Sequence, residues 1–270
     1  MIRATRSRIA RILRNQIEDP ASREESMHQR TIRFAAVGSL TLAVVLSATG
    51  QAIAQDAKPS YPSMAAVDQY MMPDRNSEIE LARSAAPESI SRDATVEILG
   101  PHGYETAAEG KNGFVCLVER AWMSDFDSAE FWNPKNRSPI CLNPPAARTV
   151  LPITHLRTKL VLAGKSKAEI KESIKAAFEK KELPDLEVGA MSYMLSKHSY
   201  LSDKHITHDG AHNVAHLMFY TPLMAASVWG ANMDNSPVYL LPNFNGKPEP
   251  IDVFIVLTGV WSDGTPAPLS

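Results

Sequence analysis

The order in which hydrophobic periodicities change along the chain constrains its fold more than any single residue. From Ala94 to Arg120 apolar and polar residues alternate in the short runs ATVEIL, YETAA and FVCLVE. Turn chemistry separates them, at Gly100-Pro101-His102-Gly103 and at Gly110-Lys111-Asn112-Gly113. A period of two punctuated by Gly, Pro and Asn is the pattern of half-buried strands joined by tight turns, so three strands in a meander are expected. A helical block follows. Ala146 to Ala163 reads as helix with a break near Pro152. Beyond Gly164, Ser166 and Glu169 form an S-x-x-E capping box, Ile170, Ile174, Ala177 and Phe178 share one stripe, and Pro184 stops the run. The last third returns to β-forming runs bounded by Gly, Pro or Asn: MSYML, HLMFY, VYLL and DVFIVLTGVW. Strands, then helices, then strands predict an α+β fold, with a mainly antiparallel sheet, two or three packed helices and one disulfide.

Two further segments fit that frame. Ser77 to Ala86 reads as a short helix with Ser77 and Glu80 as a capping box, ended by Pro87. Residues 121–145 hold Trp122, Phe126, Phe131 and Trp132 without a period and are cut by Pro134, Pro139, Pro144 and Pro145, so an irregular packed segment is expected.

The N-terminal region reads as an address. Residues 1–54 contain eight Arg, no Lys and four acids. From Met27 a short basic stretch with Arg30 and Arg33 leads into an apolar run from Phe34 to Thr49, then Ala52-Ile53-Ala54. That is the pattern of a secretory signal peptide cleaved after Ala54, with translation starting at Met27. The apolar run is short for a bilayer, which needs roughly 20 apolar residues, so no stable membrane insertion is expected after cleavage. Residues 55–75 read as a flexible leader and 76–270 as a single globular domain. Beyond residue 54 there are 20 Lys and Arg against 26 Asp and Glu, a formal charge of −6. A mildly acidic domain argues against nucleic acid as a partner. The 44% hydrophobic and 21% charged content excludes collagenous, low-complexity and fully disordered chains.

Cys116 and Cys141 are the only thiols and stand 25 positions apart. No C-x-x-C motif and no evident basic niche suggests redox work. In an oxidising compartment the pair is expected to form a structural disulfide, which chain-entropy arithmetic values at about 3.5 kcal/mol.

The histidines are the most unusual feature. Five of the eight fall between 198 and 216, in HSYLSDKHITHDGAHNVAH. On a helix His205, His208, His212 and His216 would share an arc of about 80°. Imidazole is the commonest metal ligand, and Asp209 offers an oxygen ligand or a partner that orients a ring. These residues are the candidate site for Zn or another transition metal. On a strand the case dissolves, because four residues span about 13 Å. Asp209-Gly210 is poor helix interior, so a loop around 202–211 entering a strand near Val214 is expected. His212-Asn213-Val214-Ala215-His216 resembles the H-E-x-x-H helix of zinc proteases with Asn in place of the Glu that acts as base, which excludes that protease chemistry.

The chain contains no G-x-S-x-G, P-loop, G-x-G-x-x-G or EF-hand signature. Trp229 with Asn232, and Trp261 with Asp263, place an aromatic ring near a small polar group, a candidate pattern for ligand binding. The strings NGFVCLVER, SPICLNPPAARTVLP, MSYMLS, AHLMFYTP and WGAN resemble an uncharacterised family of bacterial secreted proteins. That resemblance, over roughly residues 90–263, implies export and a bacterial source and carries over no activity and no catalytic residue. The resulting expectation is a periplasmic or secreted ligand-binding or accessory protein. The alternatives are a metal-dependent envelope hydrolase and a structural envelope protein with no bound metal.

Overall fold

The computed structural model describes residues 61–203, 212–241 and 248–269. The signal region and residues His205, His208 and Asp209 lie outside them. The described residues form an α+β architecture with a single eight-stranded sheet. In chain order the helices are α1 (Arg75–Arg83), α2 (Glu88–Ser91), α3 (Pro144–Thr149), α4 (Leu151–Leu162) and α5 (Lys167–Glu179). The strands are β1 (Thr95–Gly100), β2 (Gly103–Ala108), β3 (Val115–Glu119), β4 (Ser138–Leu142), β5 (Met191–Met194), β6 (His216–Pro222), β7 (Val238–Leu240) and β8 (Ile251–Leu257). Their order across the sheet is β2-β1-β3-β4-β5-β6-β8-β7, antiparallel throughout except for β1 against β3.

That parallel pair corrects the expected meander. β2 folds back on β1 as a hairpin, but the chain then crosses the start of β1 and lays β3 on its other side. Gly110 makes the crossing fit. A Cβ there would lie 2.1 Å from the backbone nitrogen of Thr95, so only glycine allows the two backbones to approach. Lys111 N donates to Asp93 O at 2.9 Å and Thr95 N to Phe114 O at 2.9 Å, which fixes the crossing in register.

One face of the sheet is covered by the helical block. Leu117, Ile140, Leu142, Val253 and Ile255 pack there with Ala146, Leu151, Ile153 and Ala177. The opposite face takes α1, whose Ala82 sits with Val96, Cys116, Val118 and Cys141. Cys116 and Cys141 are direct cross-strand partners and form the disulfide. It joins β3 to the strand that closes the aromatic, proline-rich segment. That segment is irregular only in part. After a 3-10 turn at Ala121–Met123 it buries Phe126, Phe131 and Trp132 beside Trp122 without regular structure. Ser138–Leu142, however, pairs as β4 and Pro144 opens α3, which corrects the expectation for residues 121–145.

Local signals explain most element ends. The α5 capping box is complete, with Ser166 Oγ accepting from Glu169 N and the Glu169 carboxylate accepting from Ser166 N. The helical stretch from residue 146 divides at Val150, leaving Pro152 in the first turn of α4. α1 starts earlier than its sequence suggests. Asp74 is the cap, accepting from Ser77 N at 2.7 Å, and Ser77 lies inside the helix.

The leader also ends early. Tyr70 is fully buried, its ring 5.0 Å from that of Trp122 and its hydroxyl donating to Trp132 O at 2.8 Å. Tyr61, Tyr70 and neighbouring methionines anchor a stretch whose Pro and Ser content suggests looseness. No helix among the described residues is long and apolar enough to cross a membrane.

Candidate functional site

Strand parity brings an acid to the wrong side of a hydrophobic sheet. Side chains alternate along β3, so Glu119 shares the helix-covered face with Leu117. Above it, α4 presents Thr154, Arg157 and Thr158, spaced i, i+3, i+4, as one buried polar stripe. Between that stripe and the sheet lies a small cleft of about 90 Å³, open to solvent at its mouth. Met123, Val150, Ile153, Met218, Ile251 and Val253 form its apolar walls, and Glu119, Thr154, Arg157, Tyr220 and Glu249 are its polar groups. An apolar cleft with a few convergent polar groups is the common form of a small-molecule site.

Arg157 is 2% exposed and heavily committed. Its Nη1 donates to the carbonyls of Trp122 and Ser124, both at 3.0 Å, and its Nη2 to Glu249 Oε1 at 2.5 Å. The guanidinium carbon stands 4.3 Å from the centre of the Phe126 ring. Its Nε is buried and has no partner among the described residues. Glu119 is held more lightly, accepting from Thr154 Oγ1 at 3.3 Å. Burial pushes its carboxyl up to about 7, against smaller opposing pulls from Thr154 and the Arg157 charge. Tyr220 Oη lies 3.0 Å from Ser192 Oγ, and burial raises its phenol above the ordinary range.

The described sequence candidates do not line this cleft, and His205, His208 and Asp209 lie outside the described residues. His212 and His216 are not on a helix. His212 bridges to Tyr200, and His216 opens β6. The His212 ring stacks on Tyr200 at 4.1 Å, and its Nδ1 donates to Ser202 O at 3.0 Å. His216 Nδ1 donates to Val214 O at 2.7 Å. In each case the acceptor is a carbonyl, so Nδ1 must carry the proton. Among the described residues no three His, Cys, Asp or Glu side chains are grouped to hold a metal ion. His216 does share the cleft's face of the sheet, two residues along β6 from Met218.

The aromatic candidates are mostly structural. Trp261 is buried with Leu195, Ala215 and Ala267. Asp263 caps its own turn through Thr265 and pairs with Lys197 at 2.5 Å. Asn232 uses its amide on Leu240 N and O, holding β7. Trp229 remains 38% exposed and stacks on Phe254 at 4.8 Å. A second polar cluster, absent from the sequence reading, centres on Asp203, which accepts from the Tyr61 and Tyr200 hydroxyls and from Lys135 Nζ. These bonds hold its carboxyl down at about 2.

Two signals could have revealed the cleft. Glu119 is the inward-parity residue of a strand whose other inward residues, Val115 and Leu117, are apolar. Thr154, Arg157 and Thr158 interrupt an otherwise apolar helix on one stripe. No protein-family model matches this chain, and neither the curated proteins nor the solved structures yielded a match.

Proposed function

We propose that this is a periplasmic or secreted protein that binds a small, largely apolar molecule in the cleft beneath α4. The observation that carries the reading is Glu119, a carboxyl that lines a mainly apolar-walled cleft with one long hydrogen bond, from Thr154, and that burial raises to about 7. A core that served packing alone would gain by having an apolar side chain there, because burying a carboxyl without full hydrogen bonding costs free energy. Groups perturbed by burial in clefts concentrate at functional sites. Export is supported by the basic and apolar pattern before Ala54 and is compatible with the Cys116–Cys141 disulfide.

A neutral fluorescent apolar probe, N-phenyl-1-naphthylamine, tests the reading. The protein should bind it with micromolar affinity. Met218→Trp, which fills the cleft from β6, should weaken it at least tenfold while leaving the circular dichroism spectrum unchanged. Equal binding by the two proteins, or none by either, would count against the cleft.

A further inference from the structure

The charges around the cleft do not balance. Arg157 and Glu249 cancel through their 2.5 Å contact, and Glu119 is left over. The groups facing its carboxyl are few. From α4 come the Thr154 hydroxyl and the already paired Arg157 guanidinium. Glu249 approaches from the chain before β8, and Tyr220 from β6 lines the same cleft with its hydroxyl beside Ser192. On the β1–β2 side, Tyr104 donates its hydroxyl to Val118 O, and Glu97 is occupied by His155 at 2.6 Å. None of these supplies a free cation. Among the described residues an ionised Glu119 therefore has no free counter-charge, and a cationic ligand would supply one.

We infer that the cleft takes an amphiphilic amine, an apolar body whose ammonium head pairs with Glu119. The inference rests on the cleft reading above and names its ligand class. The walls suit it, because Met123 and Met218 are adaptable, polarisable surfaces for an alkyl chain. The buried Arg157 Nε–H, without an acceptor among the described residues, offers a donor to an oxygen on the same ligand, since Arg157 and Glu119 line one cleft. A vicinal amino alcohol carries both features.

The pH dependence follows with a definite sign. An ammonium prefers the ionised carboxylate, so binding below the carboxyl's own titration must expel a proton and is weakened. With that titration at about 7, affinity should rise about tenfold between pH 6 and pH 8 and then flatten. A neutral ligand that accepts a hydrogen bond from the protonated acid would show the opposite slope.

Isothermal titration of the purified chain with 2-amino-1-octanol and with 1,2-octanediol tests this directly. The two probes share the chain and the oxygen and differ in the amine. At pH 8 the amino alcohol should bind at least tenfold more tightly than the diol, and that advantage should shrink about tenfold at pH 6. Glu119→Gln should abolish the advantage. Diol binding that equals or exceeds that of the amino alcohol would overturn the ligand class while leaving the cleft as a binding site. Failure of both probes to bind would overturn the cleft reading as well. The wild-type pH profile needs no variant, so the proposal stays exposed to refutation even if Glu119→Gln folds poorly.

Discussion

Arg157 on α4 and Glu249 before β8, 92 residues apart, meet at 2.5 Å with their side chains only 2% and 11% exposed. This contact ties the helical layer to the far half of the sheet across the cleft mouth. Truncating one member strands the other as a buried charge, which costs about 3–5 kcal/mol. Arg157→Ala and Glu249→Ala should each be destabilised on that scale in urea unfolding. The double variant Arg157→Met/Glu249→Leu should recover much of the loss, since a well-packed apolar pair often replaces a buried ion pair at little cost.

Glu119 should make stability depend on pH. Its folded carboxyl titrates at about 7, above the ordinary 4.5, so the folded state binds the proton more tightly than the unfolded chain. The stabilisation is therefore complete below about pH 4.5 and is lost as pH rises through 7. The residue is only partly buried, which tempers the loss to about 1–3 kcal/mol. Glu119→Gln should flatten this part of the profile. Urea midpoints at pH 5 and pH 8 for both proteins provide the check.

Gly110 and Gly164 should respond differently to alanine. At Gly110 the new Cβ meets backbone atoms at 2.1–2.6 Å, so the β1–β3 crossing cannot form and soluble expression should collapse. At Gly164 the backbone has φ +73° but nothing lies within 4 Å, so Gly164→Ala should cost only about 1 kcal/mol. Expression and thermal melts of the two variants separate these cases.

His212 is expected to act as a latch at the neck of the histidine-rich segment. His212→Ala removes the stack on Tyr200 and the bond to Ser202 O, and should cost about 1–2 kcal/mol. His212→Phe should retain the stacking part. Elemental analysis of the untagged protein, purified without chelators, decides whether the histidines also hold a metal. An equivalent of Zn, Cu or Ni that is lost on replacing His208 and His212 would favour the metal-dependent reading over the cleft alone.

Much of the fold was legible because local chemistry set it. The α5 capping box, the break before Leu151 and the β-forming runs after residue 190 each depend on neighbours within a few positions. The meander was misread because the parallel β1–β3 pair depends on a backbone approach at Gly110, and a glycine in a turn looks the same whether or not another strand passes beside it. The site was missed for a related reason. Clustered histidines are conspicuous in a sequence, whereas Glu119, Arg157 and Glu249 are separated by 38 and 92 positions and meet only when α4 lies over the sheet.

Methyl NMR titration with 2-amino-1-octanol at pH 8 tests the central claim most directly. Shifts should concentrate on Met123, Val150, Ile153, Met218, Ile251 and Val253, which line the cleft. They should disappear in Met218→Trp. Shifts confined to the exposed Leu223, Val228 and Met233, with the cleft methyls unmoved, would contradict the account.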